Sequence, residues 1–282
     1  MKSLYSMFLS QAYQDCWDDY NRSVKLKNFP RWDYVILTAS NDQQAEGFRR
    51  QIEERKEYLP AGTRFAAIPD RGGERVGSGG ATLEVLKYLH EQEGDFRKLR
   101  VLVIHSGGDS KRVPQYSALG KLFSPVPHQL PDGRSSTLFD EFMICMSSVP
   151  SRIREGMVLL SGDVLLLFNP LQIDYNNVGA AAISFKECVE VGKNHGVYVN
   201  GEDGNVKCCL QKKSEEELRK AGAVNEVGCV DIDTGALIFS TAMMDSLYSL
   251  IRTEEGYDRY VNGTVRLSLY ADFLYPLAEN ST

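Results

Sequence analysis

Histidine and tryptophan are scarce in this chain, with four of the first and two of the second among 282 residues. No HExxH pair occurs, which excludes the helix-borne zinc site of that motif, and no Ser-His-Asp or Cys-His arrangement stands out. The six cysteines (Cys16, Cys145, Cys188, Cys208, Cys209, Cys229) contain no CxxC pair and no metal-finger spacing. Thiols scattered through a chain of this length read as buried side chains rather than disulfides, which points to a reducing cytoplasm. No run reaches the roughly 18 apolar residues of a membrane helix, and the N-terminal MKSLYSMFLSQAYQDCWDDY turns acidic too early for a signal peptide. Neither a membrane nor secretion is expected. Positive charge is also in deficit: 32 Lys and Arg stand against 38 Asp and Glu, for a net charge of −6 and a pI near 5.4. That balance argues against nucleic acid as a partner.

A local cluster of cations therefore stands out from its background. It lies in His105 to Lys121, HSGGDSKRVPQYSALGK. The preceding Val101–Ile104 reads as a buried parallel strand by its length and branching. The stretch then offers Gly107 and Gly108 with Lys111, Arg112 and Lys121 behind them. Backbone N–H groups freed by glycines, backed by cations, suit a polyphosphate.

Elsewhere, apolar side chains spaced three or four apart predict a helix over residues 3–23. Strands are expected at Tyr34–Leu37, Phe65–Ile68, Met157–Leu160, Ala180–Phe185 and Val230–Phe239, and a hairpin turning at Gly201–Gly204. Helices are expected over 43–58, 81–90, 137–148, 214–220, 241–251 and 266–278. Strands alternating with helices make this an α/β chain with a mostly parallel sheet and right-handed crossovers. There are no repeats and no low-complexity linkers.

Two further features invite chemistry. Gly77-Ser78-Gly79-Gly80 precedes a predicted helix and could present N–H groups to an anion, or be a loop and cap alone. It lacks the Lys-Ser/Thr of a P-loop and the GxGxxG spacing. Asp163 closes Ser161-Gly162-Asp163 after a buried strand, a position that suits either a magnesium anchor or an Asx turn. His90, His105 and His128 read as surface, strand-end and loop residues.

Taken together, VGSGGATL, HSGGDSKR, SALGKLFSPVP, SGD at 161–163, NHGVY at 194–198 and LSLYADF at 267–273 resemble one family. The spacing of Gly107-Gly108, Arg112, Gly120-Lys121 and Pro125 looks like the signature of sugar-nucleotide pyrophosphorylases. The wider set of motifs, in order from about Asp33 onward, is similar to the fucose-1-phosphate guanylyltransferase domain, found alone or at the N-terminus of bifunctional fucokinase/GDP-fucose pyrophosphorylases. The resemblance implies a Rossmann-like, glycosyltransferase-A-type fold over residues 31–282 after an N-terminal helical segment, 1–30. It also implies a piece of a longer chain, with a β-helix and a kinase domain beyond it, or a homodimer that covers the same apolar face.

The reaction implied is GTP plus fucose 1-phosphate giving GDP-fucose and pyrophosphate, with Mg²⁺. Gly107, Gly108, Asp109 and Ser110 would approach the triphosphate, and Gly77, Ser78, Gly79 and Gly80 would help hold the nucleotide. Arg112 and Lys121 would neutralise the α-phosphate and the leaving pyrophosphate. Asp163 would bind the metal with Asp272 as a second ligand. His195, Gly196, Asp233 and Thr234 would line the sugar side, and Lys212 would grip the sugar phosphate. Two departures stand out: Ser110 replaces a family glycine, and Gln211-Lys212-Lys213 replaces Glu-Lys-Pro, so that Lys213 competes with Lys212 for its role. A non-catalytic module serving a fucokinase is the alternative reading.

Overall fold

Side chains alternating between the two covered faces of the central strands fix how the layers stack. A computed structural model describes residues 4–106, 116, 120–252, 260–261 and 265–278. In chain order it contains α1 (Leu4–Lys25), β1 (Tyr34–Ala39), α2 (Asp42–Glu54), β2 (Arg64–Pro69), α3 (Gly77–Glu93), β3 (Arg100–His105), β4 (Pro125–Gln129), β5 (Ser135–Thr137) and α4 (Leu138–Cys145). There follow β6 (Gly156–Ser161), β7 (Ala180–Cys188), α5 (Val189–Gly192), β8 (Gly196–Asn200), β9 (Val206–Gln211), α6 (Glu215–Lys220), β10 (Cys229–Phe239) and α7 (Thr241–Ile251). A π-helical turn over Leu269–Leu274 and a 3-10 turn over Tyr275–Leu277 end the described chain.

Eight strands form one mixed sheet in the order β2-β1-β3-β6-β10-β8-β9, with β7 also paired to β10. The ladders from β2 to β6 are parallel, and those around β10 are antiparallel. Every residue of β1 is buried, as expected of a parallel strand covered on both faces. Because strand side chains alternate, Val35, Leu37, Leu102, Ile104 and Val158 enter one core, with Trp17 of α1, Phe48 of α2 and Phe142 of α4. Tyr34, Ile36, Val101, Val103 and Met157 enter the other, against Leu83, Leu86 and Leu89 of α3 and Leu247 of α7.

The chain leaves β1 toward β2, then returns past it to β3, so the strand order reverses beside β1. A crevice at the carboxyl ends of such strands is where open α/β sheets bind ligands. β10 spans the boundary between the two halves. Its C-terminal part pairs with β6 through Leu237–Phe239, and its N-terminal part with β8 through Asp231 and Ile232. Between them, register with β7 shifts from Asp233 to Ala236, which places this irregularity beside the end of β6. A Cβ on Gly235 would lie 3.2 Å from Ser161 Cβ.

Three stretches differ from expectation. The GSGG run is the first turn of α3, not a loop before it. Extended residues 265–268 lie against that turn: Leu267 N–H donates to Val76 O at 2.8 Å and Gly79 N–H donates to Leu267 O at 2.9 Å. The same pairing keeps 265–268 out of the helix expected over 266–278. Between Lys121 and α4, where no strand is expected, lies a small hairpin of β4 and β5.

Candidate functional site

Three parallel strands deliver polar side chains to one rim: Thr38 near the end of β1, His105 at the end of β3 and Ser161 at the end of β6 are neighbours in register. Thr38 Oγ1 lies 3.2 Å from His105 Nδ1, and Thr82 Oγ1 of α3 lies 3.2 Å from His105 Nε2. Thr82 donates its hydroxyl proton to Ser78 O at 2.8 Å, so toward His105 it can only accept. The network therefore assigns the proton to Nε2 and makes Nδ1 an acceptor of the Thr38 hydroxyl. Burial pushes the imidazole pKa down to about 4. A neutral, fixed ring results.

Acid stability should report this. The folded-state pKa lies below the ordinary value of 6.5, so the stabilising contribution is complete above that pH and lost as pH falls toward about 4. It amounts to at most about 3 kcal/mol, because the ring also lines a cavity. In urea unfolding the wild type should lose more stability across this window than His105→Gln. Equal losses would mean that the ring is not held neutral.

Beside this rim, Lys121 and Asp163 face each other, with Nζ 2.8 Å from Oδ2. Ser161 Oγ donates to the other oxygen, Oδ1, at 2.7 Å. Half-burial raises the Asp163 carboxyl pKa, but the bonds from Lys121 and Ser161 outweigh it, so the carboxyl sits below its ordinary value. Both members are only partly exposed, at 24% and 33% of the side chain, so they are reachable from solvent but not swamped by it. Gly120, at φ +68°, turns the chain into Lys121, and Leu122 and Phe123 anchor it in the core.

A cavity of about 470 Å³ opens alongside, within the size range of small-molecule sites. Ser78, His105, Ser161, His195, Asp233 and Thr234 all contribute to its wall. Asp233 Oδ1 accepts from Tyr198 OH at 2.9 Å, Tyr270 OH at 3.2 Å and Gly235 N–H at 2.8 Å. Burial first, and the Asp233 charge second, push both phenols far above their ordinary pKa, so they remain donors. Tyr270, with Leu269, belongs to the π-helical turn that closes this side of the cavity. The bulge in β10 thus brings a carboxyl group held on one oxygen to the wall.

The other sequence-derived candidates fall in different places. Gly107, Gly108, Asp109, Ser110 and Arg112 lie outside the described residues. Gly77, Gly79 and Gly80 face protein: a Cβ on Gly77 would come within 2.2 Å of Leu267 O, and one on Gly80 within 2.8 Å of Val76 Cβ. Ser78 reaches the cavity while its Oγ accepts from Leu269 N–H at 3.0 Å. Gly196 packs under Gln211 and Asp233. Thr234 donates its hydroxyl to Ile183 O. Lys212, at φ +49°, is exposed, with its N–H bonded to His195 O at 3.0 Å, while Lys213 pairs with Glu217 at 3.1 Å. Asp272 Oδ2 caps its own turn by accepting from Ser268 N–H at 2.6 Å. His105, Tyr198 and Tyr270 were not among the candidates. In the sequence His105 reads as a strand-end residue and the two tyrosines as packing residues, and only the fold gives them polar partners.

Comparison with known proteins now bears on this arrangement. The fucose pyrophosphorylase domain model matches residues 94–282. The chain belongs to the fucose pyrophosphorylase family. A fucose-1-phosphate guanylyltransferase from Mus musculus is 34% identical over 183 residues, covering 62% of this chain and 30% of that protein. A bifunctional fucokinase/GDP-fucose pyrophosphorylase from Arabidopsis thaliana is 30% identical over 245 residues, covering 74% of this chain and 23% of that one. A fucose-1-phosphate guanylyltransferase from Homo sapiens is 27% identical over 280 residues, covering 89% of this chain and 46% of that one. This family member therefore spans less than half the length of each of these relatives. Among solved structures, HddC from Yersinia pseudotuberculosis matches with a TM-score of 0.42 and 12% identity, covering 93% of this chain and 70% of that one. No helix among the described residues is long and apolar enough to cross a membrane.

Proposed function

We propose that this chain carries the nucleotidyl-transfer site of a fucose-1-phosphate guanylyltransferase, joining GTP and fucose 1-phosphate into GDP-fucose with release of pyrophosphate. The observation that carries the reading is the Lys121–Asp163 pair at the carboxyl ends of the parallel strands, beside the cavity, in a chain of the fucose pyrophosphorylase family. Transfer of this kind asks little covalent work of a protein. Positioning and charge neutralisation supply the rate.

In this reading the sugar phosphate oxygen attacks the α-phosphorus, and the bond to the bridging oxygen breaks as pyrophosphate departs. Lys121 exchanges its carboxylate partner for phosphate oxygens, with Arg112 assisting. Asp163 is a hard oxygen ligand held anionic, which suits Mg²⁺. Among the described residues no three His, Cys, Asp or Glu side chains gather as a ready-made cage. That fits an ion completed by phosphate and water oxygens, as Mg²⁺ commonly is. Bound there, Mg²⁺ would neutralise developing phosphate charge. His105 stays neutral and repels neither cation. His195 and Asp233 face the sugar hydroxyls, and GTP is the base-bearing substrate. Lys212, exposed and without a carboxylate partner among the described residues, remains available to the sugar phosphate.

Pyrophosphate release measured across GTP, ATP and UTP, each with a panel of sugar 1-phosphates and Mg²⁺, tests this. Turnover should be highest with GTP and fucose 1-phosphate. No turnover with any pair, from folded protein, would overturn the reading.

A further inference from the structure

Four of the six cysteines form two pairs brought together by the fold, and their surroundings differ. Cys16 on α1 and Cys145 on α4 meet in the core, with Cys16 Sγ 3.7 Å from Cys145 O. Both are buried, and burial pushes the Cys16 thiol up to about 11. Such a pair is shielded from oxidants and short of thiolate, so it acts as packing.

The second pair lies on the sheet. Cys188 ends β7, Cys229 begins β10, and the two stand directly opposite each other in antiparallel register. Opposed residues in such a ladder either exchange both backbone hydrogen bonds or exchange none, and the second kind brings the chains closer, with Cα atoms about 4.5 Å apart. Here the hydrogen bond flanks the pair: Val189 N–H donates to Gly228 O at 3.1 Å. Cys188 N–H instead donates to Glu187 Oε1 at 2.7 Å, and Cys229 N–H to Asn225 Oδ1 at 2.8 Å. The cysteines therefore occupy a narrow site. Cβ atoms approach most closely at such sites, toward the separation of about 3.5–4.5 Å that a disulfide needs.

Their direction also agrees. Val189 and Val230, the next residues along, are buried together with Val197 and Leu218. Alternation then turns Cys188 and Cys229 to the opposite face, where the Lys186–Asp231 ion pair forms the neighbouring rung at 2.8 Å. Cys188 is exposed and Cys229 half-buried, so an oxidant can reach the first and the second lies beside it.

We propose that Cys188 and Cys229 are a modification site, oxidised by hydroperoxides to a reversible cross-strand disulfide. The thiolate of Cys188 attacks the peroxide oxygen and breaks the O–O bond, leaving a sulfenic acid and releasing an alcohol or water. The Cys229 thiolate then attacks that sulfur, forming the S–S bond and expelling hydroxide, which a proton converts to water. Two thiols lose two electrons and two protons, and the peroxide takes up both. The bond ties the start of β10, which carries Asp233, to the end of β7, which leads through α5 to His195.

The whole chain, treated with hydrogen peroxide, alkylated, digested and mapped by mass spectrometry, tests the proposal beside Cys188→Ser and Cys229→Ser. A species lighter by about 2 Da is expected, with the peptides of Cys188 and Cys229 joined. Dithiothreitol should reverse it, and neither variant should form it. The oxidised chain should melt at a higher temperature than the reduced one, because the bond closes a long loop in the unfolded state. Sulfenic or sulfinic acid on Cys188 with Cys229 still free would overturn the proposal. So would a bridge from either residue to another cysteine, or linkage between two chains.

Discussion

Replacing Lys121 by alanine is expected to lower the rate of nucleotidyl transfer by roughly 10²–10³-fold while leaving the melting temperature within a few degrees of wild type. The two halves of this expectation rest on different energies. A preorganised cation that meets charge developing in a dry site contributes on the order of 2.7–4 kcal/mol to the transition state. The Lys121–Asp163 pair in the free protein is partly solvated, and such pairs contribute roughly 0–1 kcal/mol to stability. Leu122 and Phe123, not the ammonium, hold this turn in the core. Loss of Lys121 also removes the main hydrogen bond and the charge that depress the Asp163 carboxyl pKa, leaving burial opposed chiefly by the Ser161 hydrogen bond, so the pKa rises. An acid limb in the residual activity should then move to higher pH. Steady-state pyrophosphate release and thermal melts measure both halves. An unchanged rate in a folded Lys121→Ala variant would remove Lys121 from the transfer machinery.

The second large effect concerns stability. Gly77→Ala should cost on the order of 3 kcal/mol, a fall in melting temperature of roughly 6–12 °C. Gly77 sits at φ +77°, where any side chain is strained, and its Cβ would stand 2.2 Å from Leu267 O. Leu267 cannot simply step aside, because hydrogen bonds to Val76 O and from Gly79 N–H hold it on both sides. Gly94→Ala supplies the comparison. Gly94 has φ +70° with nothing within 4 Å, so it should show the backbone strain alone, about 1 kcal/mol. Displacing Leu267 should also loosen Leu269 and Tyr270 at the cavity, read as faster hydrogen exchange in residues 265–278. If the two variants melt alike, the contact with Leu267 contributes nothing. If Gly77→Ala weakens GTP binding without loss of stability, the glycine faces ligand instead.

Much of the fold was legible because it is local. Four-residue apolar runs mark β1, β3 and β6, and the i, i+3, i+4 spacing marks α1, α2, α4 and α7. The GSGG run was harder. Glycine density reads as a loop, yet Gly77, Gly79 and Gly80 are small because Leu267 and Val76 occupy the space where side chains would go. For Gly77 and Gly79 that cause lies almost two hundred residues away in the chain, beyond any local pattern. Asp233 was singled out through resemblance, but the reason it is held in place, donors from Tyr198, Tyr270 and its own bulge, is a matter of strand register.

By itself, the sequence determined an α/β chain of the fucose pyrophosphorylase family, with cations and a carboxylate waiting at strand ends. Periodicity and ordered motifs carry that much, because each depends on residues close together in the chain. Only the tertiary structure decided that Lys121 and Asp163 neutralise each other at 2.8 Å, that His105 is a neutral ring between two threonines, and that Cys188 faces Cys229 across a narrow rung. Each of these depends on the order and register of strands from distant parts of the chain. Register is set by the burial of both sheet faces together, which no single stretch of sequence contains.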